Sequence, residues 1–360
     1  MLRIIAMIFI VISHYSVHGN IKTYGMNLGF NKILLDTTQL GGLGVAIFVM
    51  ITGYFMYNKK FNVSRIVNLL LATWFYSIVI NFSVANINGY QIDLKLFVKT
   101  FFPVLTSQYW FVTAYIVLMC VSPFINKLIE NLNRGEFLTF IFVQVFLFSL
   151  LDTVTMSIYS AGLQGGYFAQ FLMFYIIGAY LGKYKKECLL KLKTLVILCV
   201  VFGTMLMFSA IAFDIIGTKI QMFDDRSAHF YQRNSIIVVI LAVTLLSVFS
   251  TIKPFSNKFV NVVFGCTFGV YLIHDNNYMR EYLWGNIFDN SKYAESNYLI
   301  VHFILSVIIV YVACTVIEYI RKYVLEKYVF KNIINRINSC ADLVYGRLLS
   351  IIDKSYKIEQ

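Results

Sequence analysis

The chain is built from blocks of apolar residues long enough to cross a lipid bilayer. Ten such blocks can be marked, at 4–18, 42–57, 66–86, 108–125, 137–155, 167–182, 194–213, 234–252, 260–284 and 298–320. A bilayer core of about 30 Å takes about 20 residues of helix to cross. The blocks at 42–57 and 167–182 are short and carry glycine. Across the chain, 59% of residues are hydrophobic and 13% charged, about half the charge of a soluble domain. A soluble fold with that balance would expose large apolar patches and aggregate. The expected fold class is therefore all-α, a polytopic membrane protein of about ten transmembrane helices with no separate soluble domain.

The net charge of +12 sits mainly in connections on one side. Alternating the ten blocks divides the connections into two sets. One set, 58–65, 126–136, 183–193, 253–259 and the tail from Arg321, carries 20 Lys and Arg. The other carries eight, Lys22, Lys32, Lys95, Lys99, Lys219, Arg226, Arg233 and Lys292. Positive charge is retained in the cytoplasm, so both termini are expected there. No run of basic residues interleaved with stacking aromatics appears, which argues against nucleic acid as a partner. Cys120, Cys199, Cys266 and Cys314 fall within apolar blocks, and Cys188 and Cys340 on the basic side. No disulfide framework and no metal site is expected from that distribution. The first block starts at Ile4, and no small-residue cleavage pattern follows it. It reads as a retained helix rather than a leader, short enough to leave room for a start a few residues upstream. Residues 323–360 interleave Lys and Arg with apolar residues at helical spacing, from Val324 to Ile352. They read as a basic amphipathic cytoplasmic tail attracted to anionic headgroups.

Ionisable groups inside apolar blocks cost about 2.5–3.5 kcal/mol on insertion scales and are candidates for function. Here they are Arg3, His14, His18, Asp152, His274, Asp275, Arg280, His302 and Glu318. Arg3 and His14 are eleven residues apart, three turns plus about 20°, so they share one helix face about 16 Å apart along the axis. A phosphate-bearing donor could have its anionic end held by Arg3 and its reactive end presented to His14. Alternatively, Arg3 snorkels to headgroups and His14 bonds a neighbouring helix. His18, one turn further, is expected at the outer interface. In the ninth block, six polar residues from His274 to Arg280 interrupt the apolar run, which in lipid requires a wet cavity or partner helices. Asp275 could orient a histidine or bind sugar hydroxyls; alternatively, the span ends near Ile273 and leaves a wet outer loop. Gly44 and Gly53 allow close helix approach within one block. Tyr109, Trp110 and Tyr115 read alone as an interfacial aromatic belt, and Arg65 with Lys59 and Lys60 as orientation signals.

Taken in order, these motifs resemble the acyltransferase-3 family of membrane-bound acyltransferases, in the branch that decorates bacterial surface polysaccharides. The resemblance runs from Leu2 to about Tyr319. It rests on Arg-x₁₀-His at Arg3 and His14, Gly-Val-x-x-Phe…Gly-Tyr-Phe over 44–55, and a basic loop ending in Arg65. It continues with Tyr-Trp-Phe-x-x-x-Tyr at 109–115, Ser-Pro-Phe-Ile-Asn at 122–126 and Phe-Gly-Val-Tyr-Leu-Ile-His at 268–274. The resemblance implies ten transmembrane helices over residues 1–322, in agreement with the block count. It also implies O-acetyltransferase activity, moving an acyl group, commonly acetyl, from cytoplasmic acyl-CoA (acetyl-CoA) to a hydroxyl of a cell-surface polysaccharide or its lipid-linked precursor. The family's conserved arginine and histidine map onto Arg3 and His14, and its basic loop onto Arg65. Expected roles are His14 as general base or acyl-carrying nucleophile and Arg3 and Arg65 as donor-binding groups, with Tyr109, Trp110, His274 and Asp275 on the acceptor side. No appended hydrolase-like domain of the kind some members carry is expected, and direct transfer to the glycan is expected with it. The competing reading is a transporter or exporter of a glycan or lipid-linked sugar, which also needs intramembrane charge. Dependence on coenzyme A separates the two.

Overall fold

The computed structural model describes residues 1–89, 93–156, 166–185, 190–253 and 257–358, and among them every regular element is helical. The chain starts with α1 (Leu2–Val17), a short α2 (Phe30–Thr37) and α3 (Gly41–Met56). Next come α4 (Val63–Ile87), a short α5 (Leu94–Phe101) and α6 (Trp110–Asn131). Then α7 (Arg134–Val145) passes through a wider π turn at Phe146–Leu150 into α8 (Leu151–Thr155). After α9 (Gly166–Lys183) come α10 (Leu192–Gly217), α11 (Ile236–Thr251) and α12 (Lys258–His274). Short α13 (Asn277–Glu281) and α14 (Asn290–Tyr293) precede α15 (Leu299–Tyr319) and α16 (Lys331–Ile358).

Seven helical runs are long and apolar enough to span a membrane: Phe30–Met56, Val63–Ile87, Trp110–Asn131, Arg134–Thr155, Leu192–Gly217, His229–Thr251 and Leu299–Arg347. The other three blocks expected as spans form α1, α9 and α12, of 16, 18 and 17 residues. Burial separates lipid-facing from central helices. The apolar window of Leu192–Gly217 is 17% buried, that of Phe30–Met56 56%. Helix α10 is therefore peripheral, and α3 is the hub against which α1, α9 and α11 pack. Glycine makes that packing possible. A Cβ on Gly53 would strike the Tyr175 carbonyl, and one on Gly178 the Met50 carbonyl, so α3 and α9 touch backbone to backbone. A Cβ on Gly44 would likewise strike the Ala6 carbonyl of α1.

Polar side chains tie the far end of this hub. Asn126 in α6 donates to the Met56 carbonyl at 2.9 Å and accepts from the Tyr175 hydroxyl at 2.7 Å. Asn126, at the end of the Ser122–Asn126 motif, thus clamps α6, α3 and α9 together.

The ninth block differs from expectation. It is not one helix over 260–284: α12 stops at His274, and Asn276 starts α13 by accepting from the backbone N–H of Tyr278 and Met279. The break is not a wet loop either, because His274, Asp275 and Asn276 are all buried. The tail is not detached from the bundle. Helix α15 continues through π turns at Ile320–Phe330 into α16, which packs on the start of α4. Asn338 donates to Asn68 at 3.0 Å, and Ser64 to Asp342 at 3.2 Å.

Candidate functional site

Helix α1 crosses the middle of the bundle, packed by α3, α12 and α15. Its His14 meets the break after α12. His14 Nδ1 lies 3.0 Å from His274 Nε2, and His274 Nδ1 bonds the Val270 carbonyl one turn back. A carbonyl only accepts, so His274 carries its proton on Nδ1 and offers a lone pair at Nε2. His14 must then donate from Nδ1, which leaves its own lone pair on Nε2. Two hydrogen bonds in series, anchored on the Val270 carbonyl, therefore select the tautomer in which His14 Nε2 can accept a proton.

Asp275 supplies the charge beside this pair. Its Oδ1 lies 3.2 Å from His18 Nε2, 3.5 Å from Arg280 Nη1 and 3.7 Å from His14 Nδ1. The His18 ring sits 4.5 Å from that of His14 and joins the cluster. His14, His18 and Asp275 bring ligand atoms within 4.8 Å of one another, a spacing open to a cation. Hydrogen bonding already accounts for the arrangement, since His14 Nδ1 donates to His274 and Arg280 shares the carboxylate. Behind Asp275, a buried amide network holds the turn. Asn276 Nδ2 donates to Asn81 Oδ1 at 3.0 Å and to the Tyr109 hydroxyl at 2.7 Å. Gln108 Nε2 donates to the same Asn81 oxygen at 3.0 Å.

A cavity of about 350 Å³ opens over His14 and Asp275. Trp110, Tyr271, Phe48 and Arg233 also line it. A second cavity, of about 490 Å³, lies at the other end of α1, lined by Arg3, Tyr54, Lys185, Lys253 and Phe264. Arg3 is held between Phe48 and Phe264, 5.5 and 5.3 Å from their ring centres. Its Nε is buried and without a hydrogen-bond partner among the described residues. Phe48 therefore touches both regions, with the His14 cavity on one side and the Arg3 guanidinium on the other.

Among the expected site residues, His14, His274, Asp275 and Trp110 come together around one cavity. Arg3 faces the other, as the shared helix face requires. Arg65 is exposed at the start of α4, contacts Met56 Sδ, and is not among the described residues lining either cavity. Tyr109 is fully buried behind the turn and serves Asn276 rather than the cavity. Sequence reasoning marked His18 and Arg280 only as ionisable candidates within apolar blocks, and it missed Asn276 and Arg233 as site residues. Asn276 carried a readable signal, an asparagine at a helix break that caps the next helix. Arg233 carried none beyond its charge.

A family model described as an acyltransferase domain matches residues 1–319. The chain belongs to the acyltransferase-3 family. This acyltransferase matches no curated protein and no solved structure. The match covers α1 to α15, and so the His14 cluster, both cavities and the Asn126 clamp, and ends where the π turns begin.

Proposed function

We propose that this acyltransferase moves an acyl group, acetyl in the first instance, from cytoplasmic acyl-CoA to a hydroxyl of a cell-surface polysaccharide or its lipid-linked precursor. The observation that carries the reading is the His14–His274–Val270 chain, which leaves His14 Nε2 unprotonated on an imidazole whose Nδ1 lies 3.7 Å from a buried carboxylate. His14 Nε2 takes the proton of the acceptor hydroxyl as its oxygen attacks the thioester carbonyl. The C–S bond then breaks, and the leaving thiolate recovers the proton from the His14 imidazolium. Asp275 stabilises that imidazolium while it exists. In the covalent variant, His14 Nε2 itself attacks the carbonyl and expels the thiolate; the acceptor oxygen then displaces the imidazole from the acyl carbon, and the hydroxyl proton passes to the thiolate.

The Arg3 cavity suits the donor. Its Arg3, Lys185 and Lys253 supply positive charge, and the Arg3 Nε lacks a partner, as expected of a site that receives phosphate. The cavity opens at the basic end of the bundle, where the positive-inside pattern expects the cytoplasm of a bacterial membrane. Trp110 offers the acceptor an aromatic face, and Tyr109 and His274 act through Asn276 and His14. Arg65, exposed nearby, assists donor approach from the cytoplasm. Helix α16, basic and outside the family match, is the cytoplasmic tail, held against α4 and facing anionic lipid.

The test is the ester content of the surface glycan, read by NMR in cells with wild type, His14→Ala or no gene. The expected result is loss of the ester in both mutants at unchanged polymer amount. Wild-type ester with His14→Ala overturns the base assignment. Loss of polymer with unchanged ester per sugar in the deletion overturns acyl transfer.

A further inference from the structure

Three arginines lie in or beside the two cavities, and they are partnered differently. Arg280 meets Asp275, and Arg3 lies between two phenylalanines. Arg233, on the segment leading into α11, lines the His14 cavity. Its guanidinium sits 4.8 Å from the Trp110 ring centre and 4.5 Å from that of Tyr167. Its Nε donates to the buried Gln170 Oε1 at 2.6 Å. Among the described residues no carboxylate is in ion-pair contact with it.

Charge in the cavity is therefore unbalanced. Asp275 is the one carboxylate among the described lining residues, and His18, His14 and Arg280 already surround it. Aromatic rings attract a guanidinium through their quadrupole but carry no net charge to cancel it. Gln170 takes the Nε–H and Tyr167 also hydrogen-bonds the side chain, which fixes its orientation; the remaining N–H groups of the guanidinium are left to pair with an oxyanion.

Building on the acyltransferase reading, we infer that Arg233 is a recognition site for an oxyanion on the acceptor. The hydroxyl to be acylated then belongs to a glycan unit bearing a carboxylate or phosphate. That group could be a uronate of the polymer or the diphosphate of a lipid-linked precursor. No hydrogen bond joins Arg233 to His14 among the described residues, and on this inference Arg233 takes no part in the chemical step. Its loss raises the acceptor KM and leaves kcat at saturating acceptor nearly unchanged.

The protein is reconstituted in phosphatidylcholine nanodiscs, so that the lipid brings no net negative charge. Three probes are titrated: an oligogalacturonate, the same oligomer with its carboxylates methyl-esterified, and a polyprenyl-diphosphate-linked N-acetylglucosamine. Wild type is expected to bind one of the two anionic probes about 30-fold more tightly than the ester, the scale of a desolvated charge pair. Preference for the oligogalacturonate assigns the oxyanion to the polymer; preference for the diphosphate assigns it to the lipid-linked precursor. Arg233→Gln is expected to remove the preference, and Arg233→Lys, which keeps charge but not the fork, to retain part of it. Thermal midpoints equal to wild type show that the variants fold, and Gln170→Ala, predicted to weaken the same preference, is the second variant. Equal wild-type affinity for all three probes overturns the inference, as does an unchanged preference in folded Arg233→Gln. Labelled acetyl transfer from acetyl-CoA is followed in parallel. Transfer without anion preference leaves the acyltransferase reading standing and removes only this inference. Arg233-dependent binding with no transfer to any probe supports the anion site and counts against the acceptor reading.

Discussion

The two ends of α1 handle charge in opposite ways. At the His14 end, polar groups are tied into one network: two imidazoles in series, a third on Asp275, and an amide lattice behind them. At the Arg3 end, the guanidinium has aromatic neighbours, and its Nε has no hydrogen-bond partner among the described residues. A satisfied network holds its members in fixed positions and protonation states, which suits a group that must exchange a proton in place. An unsatisfied cation keeps its binding capacity for something that arrives. On the proposed function, one helix then presents a pre-organised reaction centre and an open binding charge, with Phe48 between them.

The largest effect expected from breaking this contrast is at His14. His14→Gln should lower acyl transfer about 10²–10⁴-fold, the range for a lost general base, while binding of acetyl-CoA, followed by calorimetry, stays near wild type. Donor binding that collapses with His14→Gln would mean the two ends are one site. Arg3→Gln should do the reverse. The donor KM should rise about 10–100-fold, matching a lost charged hydrogen bond, with weaker donor binding in calorimetry. An Arg3→Gln enzyme that binds donor normally but turns over slowly would move Arg3 into the reaction centre.

Smaller effects sharpen the network side. Asn276→Ala removes the cap of α13 and the link to Asn81 and Tyr109. It should reduce kcat about tenfold by shifting Asp275, with donor binding unchanged and Asn276→Asp restoring part of the rate. His18→Gln keeps a hydrogen-bond donor near Asp275 and should cost only about threefold in kcat. A loss equal to that of His14→Gln would place His18 in the chemistry.

Legibility tracked the range of the interactions. The helical class, the apolar blocks and the shared face of Arg3 and His14 are local periodicities, and they reappear in α1 and its neighbours. The break near His274 was legible as polar residues in an apolar run, but its burial was not, because burial depends on α4 supplying Asn81 and the turn before α6 supplying Gln108. Lys32 shows the same limit. By sequence it is one loop charge among eight, yet it is buried against Asp36 at 3.3 Å and Asp214 at 3.2 Å, joining α2 to α10. Asp214 is far away in the chain, and no local pattern announces the pair.

The sequence by itself determined that this chain is a bundle of apolar helices and that a cation and an imidazole share one face of the first. Hydrophobicity and the 3.6-residue repeat act within a segment, so composition and spacing suffice. Only the tertiary structure decided that His274 selects the His14 tautomer, that His18 and Arg280 gather on Asp275, and that Arg233 stands unbalanced beside Trp110. Those outcomes depend on hydrogen bonds and charges between residues up to 260 positions apart, brought together by helix packing.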